Sequence, residues 1–200
     1  MLLHGNTAET PHWVRRPAYF RPPIPRRMVP WLLDAGSLTR RVVRACPGTM
    51  RVQVLREQWG RADAGEAVAL STNRQGRVWL REVLLLCDET PWVYARTVIP
   101  TTTLAGPARR LLRLGSRPLG AVLFADPTVV RGEVELARLQ PQHRLYRRAA
   151  RPTSVMPAIL WARRSLFWVG SRPLLVAEVF LPSNNGPMSD TPAANPLGLR

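Results

Sequence analysis

Lysine is absent from this sequence of 200 residues: all 29 basic residues are arginine, and only 13 residues are acidic, so the formal net charge is +16. A protein that binds nucleic acid normally uses both lysine and arginine, because either neutralises phosphate. The lack of lysine therefore favours a compositional habit of the source genome, with an anionic partner as the alternative.

Cysteine and histidine are scarce. The two cysteines, Cys46 and Cys87, lie far apart and form no Cys-x-x-Cys motif. This spacing predicts two buried free thiols in a reduced compartment. The three histidines are scattered along the chain, which argues against a metal site; they are His4, His12 and His143.

Long apolar runs are also missing. Only Leu2 and Leu3 precede polar residues at the N-terminus, which is too little for a signal peptide. The stretch 158–170 is interrupted by Arg163 and Arg164, and it falls short of the roughly 20 apolar residues that a membrane helix needs. We therefore expect a cytoplasmic protein without membrane insertion.

Composition divides the chain into three parts. Residues 1–29 are rich in proline and arginine and predict an extended or disordered leader, in which Trp13, Tyr19 and Phe20 can contact the domain. Residues 183–200 predict a disordered tail. The folded domain is expected to be 30–182.

Hydrophobic periodicity within the domain predicts short helices and about six strands. The strands are joined by hairpins or irregular connections rather than by βαβ units, which indicates an α+β fold with one antiparallel sheet and helices packed on one side. The predicted helices cover 30–36, 38–45, 107–114 and 118–124, and the predicted strands cover 50–59, 78–87, 92–99, 129–138, 158–169 and 173–181.

Two arginines interrupt the apolar pattern of the hairpin "WLREVLLLCDETPWVYARTVIP". If Cys87 pairs with Trp92 across the turn, Arg81 and Arg96 become diagonal neighbours on one face of the sheet. A slip of one residue would instead send them to opposite faces. A buried guanidinium requires an anion, so the identity of that anion becomes the main question.

One carboxylate has the same character in the last strand, where Glu178 shares a face with apolar residues. It can form a structural ion pair with Arg81 or Arg96. Two arginines and one carboxylate would still leave a surplus positive charge. A closed pocket for a small carboxylate-bearing molecule would satisfy the remaining guanidinium.

Six segments in this order resemble the chorismate pyruvate-lyase family of ubiquinone biosynthesis: "WLLDAGSLTRR", "WLREVLLLCDETPWVYARTVIP", "LAGP", "LGSRPLGAVLF", "LWARRS" and "RPLLVAEVFLP". The resemblance covers roughly residues 28–182. It implies a single antiparallel sheet, an active site closed beneath helical flaps, and the conversion of chorismate to 4-hydroxybenzoate and pyruvate. It implies no metal and no organic cofactor.

The resemblance also assigns site residues. Arg81 would bind the ring carboxylate, Glu178 would meet the hydroxyl on the far side of the ring, and Leu38 and Leu119 would line the pocket. Leu38 departs from the family, where methionine is usual. From the residues themselves we add the hypothesis that Arg96 stabilises the departing enolpyruvyl carboxylate.

Some features fit other interpretations. The segment 140–157 is longer than the family pattern and is expected to be a surface loop. A non-catalytic domain that binds small aromatic acids has the same fold, but the leader is too short for a DNA-binding module. A nucleic-acid binder would need aromatics interleaved on a basic face. We expect a monomer whose ligands are small molecules.

Overall fold

The computed structural model describes residues 9–15, 17–21, 23–153, 157–183 and 186–188. A seven-stranded antiparallel sheet organises this part of the chain in the order β1-β2-β3-β7-β6, after which β4 and β5 both pair with β6. The α+β class and the single antiparallel sheet are confirmed. The strands are β1 (Met50–Arg61), β2 (Arg77–Cys87), β3 (Thr90–Pro100), β4 (Val129–Arg131), β5 (Glu135–Leu139), β6 (Leu160–Val169) and β7 (Arg172–Phe180).

Three helices lie against the face of the sheet that carries Val83 and Leu85, which we call the first face. They are α1 (Val29–Leu32), α2 (Leu38–Ala45) and α4 (Leu119–Ala125). Helix α2 buries Leu38 and Val42 in the same apolar cluster as Val83 and Leu85. The segment Gly106–Arg113, predicted as an α-helix, is a 3-10 helix instead.

Two short helices cover part of the second face: α3 (Ala64–Ala69) and α5 (Arg144–Ala150). Helix α5 buries Leu145 and Tyr146 in the cluster that contains Leu84 and Val179. The prediction of a surface loop at 140–157 was therefore wrong, because its apolar residues follow helical spacing and reach the sheet. Helices cover both faces, although the sequence predicted only one side.

The hairpin of β2 and β3 departs from the predicted register. Cys87 pairs with Thr90 across a two-residue turn, in which Asp88 has a φ of 51°. The register then shifts at Leu85 and Leu86, because Trp92 is an extra residue on β3. A bulge of this kind reverses which side chains share a face.

A disulfide joins Cys46 and Cys87, whose Cα atoms are 5.6 Å apart. The prediction of two free thiols was wrong. Met50 pairs with Cys87 at the start of β1, so the short connection from α2 returns Cys46 to the end of β2. The bond ties the C-terminal end of α2 to the sheet.

The described leader residues contact the domain. Val14 exchanges two backbone hydrogen bonds with Leu136, and the ring of Phe20 lies edge-on to Trp161 at 5.1 Å. Residues 1–8 and 189–200 fall outside the described residues, and so does most of the predicted tail.

Within the described ranges, the helices are all too short or too polar to cross a bilayer.

Candidate active site

A cavity of about 50 Å³ lies between the first face of the sheet and the N-terminal ends of α2 and α4. This cavity is called the pocket below. Its floor is formed by side chains of β1, β2, β3, β6 and β7, which alternate between faces as strand geometry requires. The pocket is lined by Gly36, Leu38, Thr39, Val52, Arg81, Val83, Leu85, Ala95, Thr97, Pro118, Leu119, Gly120, Leu123, Phe124, Arg131, Arg163, Phe167, Val176 and Glu178.

The N-terminal ends of α2 and α4 form the roof of the pocket, and the two ends lie in close contact. Ser37 is the N-cap of α2, and its hydroxyl accepts a hydrogen bond from the backbone N–H of Arg40 at 3.4 Å. A Cβ atom at Gly120 in α4 would lie 3.2 Å from the Ser37 hydroxyl oxygen. Glycine therefore lets the two ends approach, and both Leu38 and Leu119 line the pocket below them.

Arg81 lies on the pocket floor, and its side chain is only 2% exposed. Its Nη1 forms an ion pair with Glu57, and its Nη2 donates to the backbone carbonyl of Arg117 at 3.1 Å. A guanidinium has five N–H groups, and these two bonds leave three of them, including Nε–H. Arg81 can therefore still bind a carboxylate.

Glu178 lies on β7, where its Oε2 accepts a hydrogen bond from Nε of Arg163 at 2.6 Å. Arg163 on β6 is its direct cross-strand partner and is also bonded to the carbonyls of Trp31 and Asp34. The suggested ion pair of Glu178 with Arg81 or Arg96 was wrong. Among the described residues, Oε1 of Glu178 has no hydrogen-bond partner, so it can accept one from a ligand hydroxyl.

Arg81 and Glu178 lie on the same face of the sheet, two strands apart and offset by two residues along the strand. Arg81 pairs with Thr97, which pairs with Val176, and Glu178 is two residues further along β7. Two strand spacings and two residue rises separate their backbones by about 12 Å. Their side chains can therefore approach a small ring from opposite ends.

Arg96 does not line the pocket. The register of the hairpin pairs it with Glu82 and places it on the second face. There it donates to Glu82 at 2.6 Å and to the two oxygens of Glu66 at 2.6 and 3.0 Å. Burial lowers the pKa of Arg96, but the hydrogen bond to Glu66 and the charges of Glu66, Asp63 and Glu82 outweigh burial and raise it. The prediction that Arg96 shares a face with Arg81 was wrong.

A further arginine, Arg131 at the end of β4, does line the pocket. Burial lowers its pKa first, and the nearby charge of Arg163 lowers it further, while Glu178 and Asp34 oppose the change. The pocket thus brings together three guanidinium groups and, with Glu57, two carboxylates. The excess of one positive charge suits an anionic ligand.

Sequence reasoning missed both Arg131 and Arg163. The alternation of "LWARRSLF" places Arg163 on the same face as Trp161 and Phe167, which was a usable signal. The contact between Arg163 and Glu178 follows from the pairing of β6 with β7, and this pairing cannot be read from the sequence. The position of Arg131 is set by the short strand β4, whose sequence shows no hydrophobic periodicity.

The second face has its own cavity, of about 150 Å³. Glu9, Asp63, Glu66, Arg144 and Arg164 are among its lining residues, and each is ion-paired within the described chain. None of the residues that the sequence assigned to the site lines this cavity. We therefore keep the pocket on the first face as the candidate site, although the cavity on the second face is larger.

The sequence matches the family model described as "Chorismate lyase" over residues 21–185. A protein of Aromatoleum aromaticum named "Probable chorismate pyruvate-lyase" is 43% identical over 173 residues, covering 86% of this chain and 92% of that protein. A protein of Halorhodospira halophila with the same name is 44% identical, covering 85% and 93%. A third, from Azoarcus sp., is 43% identical over 186 residues, covering 91% and 95%.

Solved structures resemble the fold at low sequence identity. PhnF from Mycobacterium smegmatis superimposes with a TM-score of 0.52 at 17% identity, covering 82% of this chain and 69% of that chain. The effector domain of PhnF gives a TM-score of 0.50 at 14% identity, covering 74% and 90%. At such identities the likeness concerns the fold alone.

Proposed function

Because the chain belongs to the chorismate lyase family, we propose that it is a chorismate pyruvate-lyase. The reaction converts chorismate to 4-hydroxybenzoate and pyruvate, as the first committed step of ubiquinone biosynthesis in the cytoplasm. The proposal describes a monomer that uses no metal, organic cofactor or nucleic acid. The observation that carries it is that Arg81 and Glu178 line the same cavity.

Arg81 is proposed to hold the ring carboxylate of chorismate. Its position is fixed by Glu57 and the carbonyl of Arg117, and its remaining N–H groups match the geometry of a carboxylate. Leu38 and Leu119 bound the ring from the roof. Such fixed placement reduces the entropy that the reaction must otherwise lose.

Bond cleavage turns the ring aromatic. The C3–O bond breaks with its electron pair on the ether oxygen, the electrons of the C4–H bond form the new ring double bond, and the C4 proton is lost. Aromaticity supplies the driving force, so the protein mainly positions the substrate and stabilises charge. The enolate of pyruvate leaves and takes up one proton at its methylene carbon, which gives pyruvate.

Glu178 is proposed to orient the 4-hydroxyl group through its available Oε1. It can also take the C4 proton as a general base. In an alternative route, the methylene group of the departing enolpyruvyl chain accepts that proton, and Glu178 only orients the ring. Glu178→Gln separates these routes: a loss of only a few-fold in kcat excludes an obligatory base.

The test is the turnover of chorismate by the chelator-treated protein. We expect equal amounts of 4-hydroxybenzoate and pyruvate, and Arg81→Met should lower kcat/KM by about 100-fold. Arg172→Gln is the matched control, since Arg172 is an exposed arginine bonded to the loop carbonyls of Thr102 and Ala105 away from the pocket. No turnover by the wild-type protein, or equal losses in both variants, would contradict the proposal.

A non-catalytic domain that binds small aromatic acids is the second candidate, because the effector domain of PhnF has a similar fold. This candidate expects binding of 4-hydroxybenzoate without release of pyruvate from chorismate. The same assay, combined with a binding titration, separates the two functions.

A further inference from the structure

Arg131 differs from the other two arginines of the pocket because it forms no ion pair with a carboxylate among the described residues. Its Nε donates to the hydroxyl oxygen of Ser165 at 3.1 Å, and its Nη1 donates to the carbonyls of Ala35 and Gly36 at 2.8 and 3.1 Å. Within the described chain, Nη2 has no partner. Its two N–H groups therefore remain for a ligand.

The surroundings hold this guanidinium at the Glu178 end of the pocket. Its central carbon lies 5.9 Å from the ring centre of Phe124 and 5.4 Å from that of Phe167. Phe167 is its cross-strand partner on β6. Nη1 of Arg131 also lies 3.5 Å from the carbonyl oxygen of Asp34, which accepts a hydrogen bond from Arg163, the partner of Glu178, so the three charged groups lie close together.

The shape of chorismate matches this arrangement. The ring carboxylate lies at one end, the hydroxyl lies opposite, and the neighbouring carbon carries the enolpyruvyl ether with a second carboxylate. If Arg81 holds the ring carboxylate and Glu178 meets the hydroxyl, the ether chain must lie at the Glu178 end. Arg96 cannot reach it, because Arg96 lies on the second face.

We propose that Arg131 binds the enolpyruvyl carboxylate of chorismate through Nη2. This inference rests on the proposed function and adds a residue that touches the leaving group. As the C3–O bond breaks, the ether oxygen gains negative charge beside this guanidinium, which stabilises the transition state. The product 4-hydroxybenzoate lacks that carboxylate and makes no contact with Arg131.

The test compares substrate and product in Arg131→Gln. We expect kcat/KM for chorismate to fall roughly 10- to 100-fold, since a hydrogen bond to a charged group is lost. The dissociation constant of 4-hydroxybenzoate should stay within about 3-fold. Arg172→Gln again serves as the distant control and should leave both values unchanged.

A second measurement needs no variant. The wild-type protein is titrated with 3-(1-carboxyvinyloxy)benzoate and with 3-(isopropenyloxy)benzoate, which lacks the side-chain carboxylate. We expect the dicarboxylate to bind at least about 10-fold more tightly. Equal affinities would overturn the inference, as would equal weakening of chorismate and 4-hydroxybenzoate by Arg131→Gln. A wild-type protein that fails to cleave chorismate would instead contradict the proposed function.

Discussion

Buried arginines occur on both faces of the sheet, and their partners differ. On the first face, Arg81 and Arg163 each pair with one carboxylate and donate to backbone carbonyls. On the second face, Arg96 pairs with two carboxylates. Arg81 and Arg163 line the pocket and Arg96 does not, so only the first two of these three arginines can contact a ligand bound there.

Arg96 is therefore expected to stabilise the fold rather than to act on substrate. Arg96→Met leaves Glu66 and Glu82 without their partner and should lower the free energy of unfolding by about 3–5 kcal/mol. Urea denaturation measures this change. The kcat/KM of the folded variant should stay within about 3-fold of the wild-type value, because no atom of Arg96 borders the pocket.

The matched control for this network is the triple variant Arg96→Met, Glu66→Gln and Glu82→Gln. Removing the charges together should recover part of the lost stability, since no buried charge stays unpaired. A large loss of turnover in Arg96→Met with unchanged stability would contradict the structural role.

At this scale, the structure brings together four of the five residues that the sequence assigned to the site. Leu38, Arg81, Leu119 and Glu178 line one pocket, while their roles remain proposals. Arg96 was misplaced because one bulged residue, Trp92, reverses the faces of a strand, and hydrophobic pattern alone does not locate bulges.

Helix α2 is the element that connects the roof of the pocket to the sheet. Its first residue, Leu38, lines the pocket, and the residue after its last turn, Cys46, is joined to Cys87. The two cysteines are 41 residues apart in the sequence. The disulfide therefore restricts both the unfolded chain and the mobility of the roof.

Reduction should weaken the fold measurably. Closing a loop of this length contributes about 2–4 kcal/mol to stability in the chain-entropy model, so a reductant should lower the melting temperature by several degrees. Thermal unfolding with and without the reductant measures the shift. Cys46→Ala combined with Cys87→Ala should melt at the lower temperature in both conditions, and an equal shift in that variant would contradict the assignment.

The sequence predicted the long strands and α2 well but missed two helices. Helix α3 begins with a capping box in which Asp63 and Glu66 bond each other's backbone, a signal that a D-x-x-E pattern offers. Helix α5 was obscured by its arginines, since only Leu145 and Tyr146 of its buried residues are large, and the others are Ala149 and Ala150. Short helices of this kind are stabilised mainly by packing against the sheet, which local sequence does not report.

At the scale of the whole molecule, one sheet separates two differently charged environments. On the second face, Glu66 of α3 pairs with Arg96 of the sheet, and Arg144 and Arg147 of α5 pair with Glu9 of the leader. The first face keeps a pocket with a surplus positive charge beneath α2 and α4. The ion-pair network of Arg96 therefore lies on the second face, and the proposed ligand site lies on the first.

The most direct measurement of this division is a crystal structure of the protein with 4-hydroxybenzoate. The account predicts the ring beneath Leu38 and Leu119, with its carboxylate bonded to Arg81 and its hydroxyl bonded to Glu178. A ligand in the cavity of the second face, or one with its carboxylate directed away from Arg81, would contradict it.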